Sequence, residues 1–147
     1  MRTGILLVGL ASALSLAGCQ TARDAEIAPP LARIEGLGVT GACGVLVLSF
    51  TNPNPVPLVA SSSTHTLKLG EKSMGVIDDD EPIGLPPLGT VAHSIVLSPK
   101  VTSAAQGYLL NNPGVVHAQV KSALHVTLVE QELITLKSLG SGSVNAP

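Results

Sequence analysis

Residues 115–129 alternate apolar and polar side chains more strictly than any other part of the chain. Val116, Ala118, Val120, Leu124, Val126 and Leu128 share one parity with Ser122, and His117, Gln119, Lys121, His125 and Thr127 share the other. A period of two sends successive side chains to opposite faces of a strand, so this segment has one dry face and one wet face. That is the pattern of an antiparallel sheet covered on one side, and it requires a second layer. Aromatic residues cannot supply that layer, because Phe50 and Tyr108 are the only two in 147 residues. The core must be built from Val, Leu, Ile and Ala.

The rest of the chain reads as short strands divided by Gly and Pro. Leu31, Ile34, Leu37 and Val39, interrupted by Gly36 and Gly38, suggest an edge strand with a bulge. The run Val45-Leu46-Val47-Leu48 with Phe50 suggests a strand covered on both faces, and Cys43 beside it reads as a small buried thiol. Asn52-Pro53-Asn54-Pro55-Val56-Pro57 must end that strand, since proline donates no backbone hydrogen bond and holds its predecessor extended. Thr64 to Leu69, a turn at Gly70-Glu71-Lys72, and Met74 to Ile77 form a hairpin. Val91, His93, Ile95 and Leu97 define a further alternating strand. Val101, Ala104, Ala105, Tyr108 and Leu109 change to helix spacing, ended by Asn111-Asn112-Pro113-Gly114. Leu133 to Leu139 reads as a last strand, although Val129, Leu133 and Leu136 also fit a helix, and residues 140–147 read as a flexible tail. About seven short strands and one helix predict an all-β, two-sheet antiparallel sandwich of fibronectin or immunoglobulin type.

The amino terminus carries a different message. Arg2 precedes an apolar stretch from Ile5, which closes on Leu16-Ala17-Gly18-Cys19. A positive start, an apolar middle and small residues at a cut site make an export signal. With the cysteine in place it resembles the lipobox of bacterial lipoproteins. The resemblance implies a signal peptide over 1–18, cleavage between Gly18 and Cys19, and a lipid on Cys19. Gln20 in place of an aspartate then implies the outer membrane, facing the periplasm, in a Gram-negative host. Residues 19–30 would be a tether and 31–139 the domain. Removing Arg2 with the signal leaves 7 basic against 10 acidic residues, a net −3. No basic patch supports nucleic-acid binding.

The strand running into Asn52-Pro53-Asn54-Pro55 resembles the signature of the LEA type 2 family, the WHy domain of desiccation and hypersensitive-response proteins. Leu67-Lys68-Leu69-Gly70, Pro86-Pro87-Leu88-Gly89 and the strand from Val91 to Leu97 follow in matching order. The resemblance implies a small fibronectin-like sandwich with one helix, associated with water stress and without catalytic residues. Physically, the motif residues Asn52, Pro53, Asn54 and Pro55 suit a structural lock, because Asn caps neighbouring backbone groups and Pro narrows the unfolded ensemble.

Candidate chemistry is sparse. His65 and His93 share the apolar parity of their strands and read as hydrogen-bonded, partly buried histidines rather than a metal pair. His117 and His125 lie eight residues apart, about 27 Å along a strand, too far to share a metal. Asp78-Asp79-Asp80-Glu81 lacks calcium-loop spacing and reads as a solvated loop. Ser61, Ser62, Ser63 and Ser103 occupy no nucleophile elbow. The sequence therefore predicts no enzyme, cofactor or metal. It predicts a membrane-anchored protective protein of the envelope that meets unfolded clients, or alternatively an accessory subunit docked on an envelope partner.

Overall fold

The computed structural model describes residues 27–128 and 132–146. The signal segment, Cys19 and the first part of the tether lie outside the described residues, as do Val129, Glu130, Gln131 and Pro147. Eight strands and one helix follow in order: β1 (Leu31–Thr40), β2 (Cys43–Thr51), β3 (Leu58–Leu69), β4 (Lys72–Asp79), β5 (Ile83–Leu85), β6 (Thr90–Val96), α1 (Pro99–Asn111), β7 (Gly114–Thr127) and β8 (Leu133–Ala146). They form a two-sheet antiparallel sandwich. One sheet has the order β1-β2-β6, and the other has the order β4-β3-β7-β8 with β5 paired to β3.

The inward parity of each strand builds the core. Leu46, Leu48 and Phe50 of β2 face Leu67 and Leu69 of β3 and Val120, Leu124 and Val126 of β7, all fully buried. Bulges reset the parity in three strands, with Met74 the extra residue in β4. Glu35 is the extra residue in β1, so Ala32 and Ile34 point inward before it and Leu37 and Val39 after it. Ser61 does the same in β3, between Ala60 and Ser63. The edge strand with a bulge expected for residues 31–40 is therefore present.

The helix also matches its periodicity. Ser98 caps its start by accepting from Val101 N, Pro99 occupies the first turn, and Val101, Thr102, Ala105 and Leu109 are buried. It connects β6 of one sheet to β7 of the other.

Four expectations need correction. β2 is covered on one face only: Val45 is exposed and Val47 half-buried, because a two-layer sandwich shields a single side of each sheet. Cys43 is exposed, since the inward position beside it belongs to Gly44 and Cys43 sits at the tip of the β1–β2 hairpin. Residues 140–146 are not a tail. They continue β8 to Ala146, with Val144 buried. The tether is already part of the domain at its end, where Ile27 packs on the core and Pro30 is buried.

The two edges of the sandwich close differently. On one side β1 crosses β8 at backbone distance. A Cβ on Gly142 would lie 2.5 Å from Ile34 O, and one on Gly140 would lie 3.0 Å from the Ala32 carbonyl. Only glycine permits that approach. On the other side β4 and β6 meet through side chains.

Candidate functional site

Two polar constellations interrupt the apolar interior. The first is the corner made by the Asn-Pro-Asn-Pro segment. Asn52 is fully buried. Its Nδ2 donates to the carbonyls of Val56 at 2.9 Å, Pro86 at 3.1 Å and Leu85 at 3.2 Å. Its Oδ1 accepts from Asn54 N at 3.0 Å and Asn54 Nδ2 at 2.9 Å. Asn54 then reaches the other way. Its Nδ2 donates to Ala28 O at 2.8 Å, and its Oδ1 accepts from Ala28 N at 2.9 Å. Backbone bonds complete the corner, from Asn52 N to Gly89 O and from Leu88 N to Asn54 O. Pro53 and Pro55 bring no N–H that would need a partner in this crowded turn. The motif thus ties three segments together: the tether end, the exit of β2 and the Pro86–Gly89 turn. Leu88, at φ 50°, adopts its left-handed conformation inside that web.

The second constellation lies inside the sandwich and at its β4–β6 edge. His65 on β3 points inward, fully buried, with its ring 6.2 Å from Phe50. Nε2 pairs with Ser63 Oγ and Nδ1 with Ser122 Oγ, each at 2.8 Å. Both ring nitrogens are thus satisfied by hydroxyls, which can donate or accept as a neutral imidazole requires. Burial pushes the His65 pKa down to about 4. Asp79 and Asp78 oppose that fall, and His93 adds to it.

His93 stands on β6 in the opposite sheet. Its Nε2 lies 2.5 Å from Asp79 Oδ2, with only 10% of the His93 side chain and 13% of the Asp79 side chain exposed. Strand alternation splits the acidic run. Asp78 turns outward and accepts from Thr64 Oγ1 at 3.1 Å, while Asp79 turns toward the interior. Asp79 Oδ1 also accepts from Glu81 N at 3.2 Å, which folds the following turn back on itself. One ligating atom from each of Asp79, Glu81 and His93 lies within 4.8 Å of the others.

The structure places His65 and His93 on facing sheets with separate partners, in keeping with the reading of two hydrogen-bonded histidines. His117 and His125 are on the outer face of β7, near Gln119 and Thr135 respectively. Ser63 is the buried partner of His65, Ser61 donates to His125 O, and Ser103 is exposed on α1. Sequence reasoning grouped Asp79 and Glu81 with Asp78 and Asp80 and left His93 apart. The convergence of Asp79, Glu81 and His93 depends on which strands form the open edge, and no local pattern carries that.

No family model matches this chain, and no curated protein does. Solved structures do. A protein from Archaeoglobus fulgidus aligns at 15% identity and a TM-score of 0.50, over 80% of this chain and 95% of its own. A protein from Arabidopsis thaliana aligns at 15% identity and a TM-score of 0.57, over 82% and 84%. A putative late embryogenesis abundant protein aligns at 20% identity and a TM-score of 0.51, over 80% and 71%. What this chain shares with these distant relatives is architecture, a sandwich with the LEA type 2, WHy-like fold.

Proposed function

We propose that this chain is a lipid-anchored envelope protein whose WHy-like domain protects other macromolecules during water loss, without catalysis. The observation that carries this reading is the resemblance of Leu16-Ala17-Gly18-Cys19 to a lipobox, shortly before the residue that the Asn54–Ala28 clamp holds to the domain. A lipid on Cys19 would be followed by a short stretch of chain and then by a fixed point. From Cys19 to Ile27 the reach is at most about 29 Å, so the sandwich would stay close to the membrane surface. Two or more acyl chains hold such an anchor stably. The fold likeness to a late embryogenesis abundant protein supports the protective role.

Metabolic labelling with a radiolabelled fatty acid tests the anchor. The parent protein should carry label and fractionate with membranes, whereas Cys19→Ala should carry none and be missorted. An unlabelled parent would reject the anchor. Drying a sensitive enzyme with and without the protein tests the protective role. Recovery should rise in proportion to added protein, and no recovery above that given by an unrelated β-sandwich would reject it. In-cell crosslinking separates this reading from that of an accessory subunit, which requires one partner captured in fixed ratio.

A further inference from the structure

We infer that Asp79, Glu81 and His93 form a binding site for a zinc-class divalent cation that fastens the open edge of the sandwich. The cluster is more than an acidic loop. An imidazole that is nine-tenths buried reaches it from the opposite sheet, and its Nε2 is aimed at Asp79 Oδ2. One imidazole nitrogen with two carboxylate oxygens suits Zn²⁺, Co²⁺ or Ni²⁺, whereas Ca²⁺ and Mg²⁺ favour all-oxygen shells.

The distances fit with little movement. Ligand atoms around a tetrahedral zinc ion stand roughly 3.3 Å apart, and the three present here lie within 4.8 Å of one another. Asp79 and His93, at 2.5 Å, need to open slightly. Glu81 is exposed and free to close in, already turned toward Asp79 by the hydrogen bond from its own N–H. The cation takes the place of the proton between His93 Nε2 and Asp79 Oδ2, and that proton leaves to solvent. Water on the Glu81 side completes the shell. The field favours a cation as well. Among the described residues, no Lys or Arg forms an ion pair with Asp78, Asp79, Asp80 or Glu81.

The position gives the site a purpose. Asp79 ends β4 of the larger sheet, Glu81 lies in the β4–β5 connection that follows, and His93 belongs to β6 of the smaller sheet. The opposite edge is held by backbone packing of β1 on β8, while this one, among the described residues, is bridged by the His93–Asp79 side-chain pair. A bound cation would make it a coordinate crosslink between sheets and change the expectation of a metal-free, solvated loop.

The test is Zn²⁺ titration of untagged full-length protein carrying Cys19→Ser and Cys43→Ser, which remove competing thiols. One saturating Zn²⁺ per chain, a melting temperature that rises with free Zn²⁺, and a Co²⁺ absorption band of a nitrogen–oxygen site are expected. Glu81→Gln, an exposed change that leaves the core intact, should weaken binding by at least about tenfold. His93→Gln should abolish the Co²⁺ band, and His117→Gln with His125→Gln should change nothing. A large excess of Ca²⁺ should not displace Zn²⁺. Absence of saturable binding, binding indifferent to Glu81→Gln and His93→Gln, or displacement by Ca²⁺ would each overturn the site.

Discussion

Asn52 uses both ends of its amide inside the protein, with three carbonyls around Nδ2 and two N–H groups on Oδ1. Asn54 passes that connection to Ala28. A buried polar group left without a partner costs about 1–3 kcal/mol, so Asn54→Ala, which strands the Ala28 N–H and C=O and leaves Asn52 Oδ1 with only the Asn54 backbone N–H, should destabilise by about 2–4 kcal/mol in urea unfolding. Asn54→Asp should be no milder despite equal size, because a carboxylate oxygen would face Ala28 O and Asn52 Oδ1. A destabilisation below 1 kcal/mol for both would show that the corner does not hold the domain. His65 makes a separate, pH-dependent contribution. Its folded pKa, about 4, lies below the unfolded value of 6.5, so the unfolded chain takes up the proton first as pH falls. Stability from this group is whole above pH 6.5, is lost between 6.5 and about 4, and then levels off. The loss is on the order of 3 kcal/mol, from 1.36 kcal/mol per pKa unit. His65→Gln should flatten the fall of stability across that window. An unchanged pH profile would remove His65 from the account of acid sensitivity.

Among the elements, β8 teaches most about what local sequence can carry. Its first half reads as a strand or, through Val129, Leu133 and Leu136, as a helix; it is a strand, with Leu136 inward and Leu133 and Leu139 outward. Its second half, Gly140-Ser141-Gly142-Ser143, has the composition of a linker, and strand propensity there is poor. Tertiary packing overrides that weakness. The two glycines fall on the inward parity and let β1 lie against the strand backbone, so their period of two was a signal of close approach. β5 was missed because it has three residues, too few for any period to show. By contrast, α1, β6, β7 and the β3–β4 hairpin each had enough length for their period to be read. The motif corner was legible as a lock, but Ala28 as its partner was not, since the two lie 26 residues apart. The glycine seam can be tested against a control within β1. Gly142→Ala places a methyl 2.5 Å from Ile34 O and 2.8 Å from Ile34 Cβ. Backbone cannot yield cheaply there, and a cost of about 1–3 kcal/mol is expected. A Cβ at Gly36 meets nothing within 4 Å. Gly36→Ala should therefore change stability by no more than about 0.5 kcal/mol. Equal effects of the two substitutions in thermal melts would mean that β1 and β8 are not in close register.

At the scale of the whole molecule, the sandwich is closed at its corner and along one seam by residues that lie outside the domain limits read from sequence. Those limits, 31–139, omit Ile27 and Ala28 at one end and half of β8 at the other. Gly140 to Ala146 pair with Val120 back to Gly114 across β7. Without them, the first half of β7 becomes an unpaired edge, and Val116 and Ala118 lose cover. β1 loses the strand it packs on, and Val144 leaves the core. Removing Ile27 and Ala28 at the same time takes away the partner of Asn54. A domain of this size has only about 5–15 kcal/mol of net stability, and losses at both ends fall on the same cooperative unit. Residues 27–147 should therefore melt in one sharp transition. Residues 31–139 should show no cooperative melt and should bind a hydrophobic dye, as a loosened sandwich does. Restoring 140–147 alone should recover a cooperative transition at a lower temperature, short by about the cost of Asn54→Ala, which is about 2–4 kcal/mol. If residues 31–139 melted as sharply and as high as 27–147, the corner and the seam would be decorations on a core sufficient by itself. The structural role assigned to the Asn-Pro-Asn-Pro segment would then have to be abandoned in favour of a binding one.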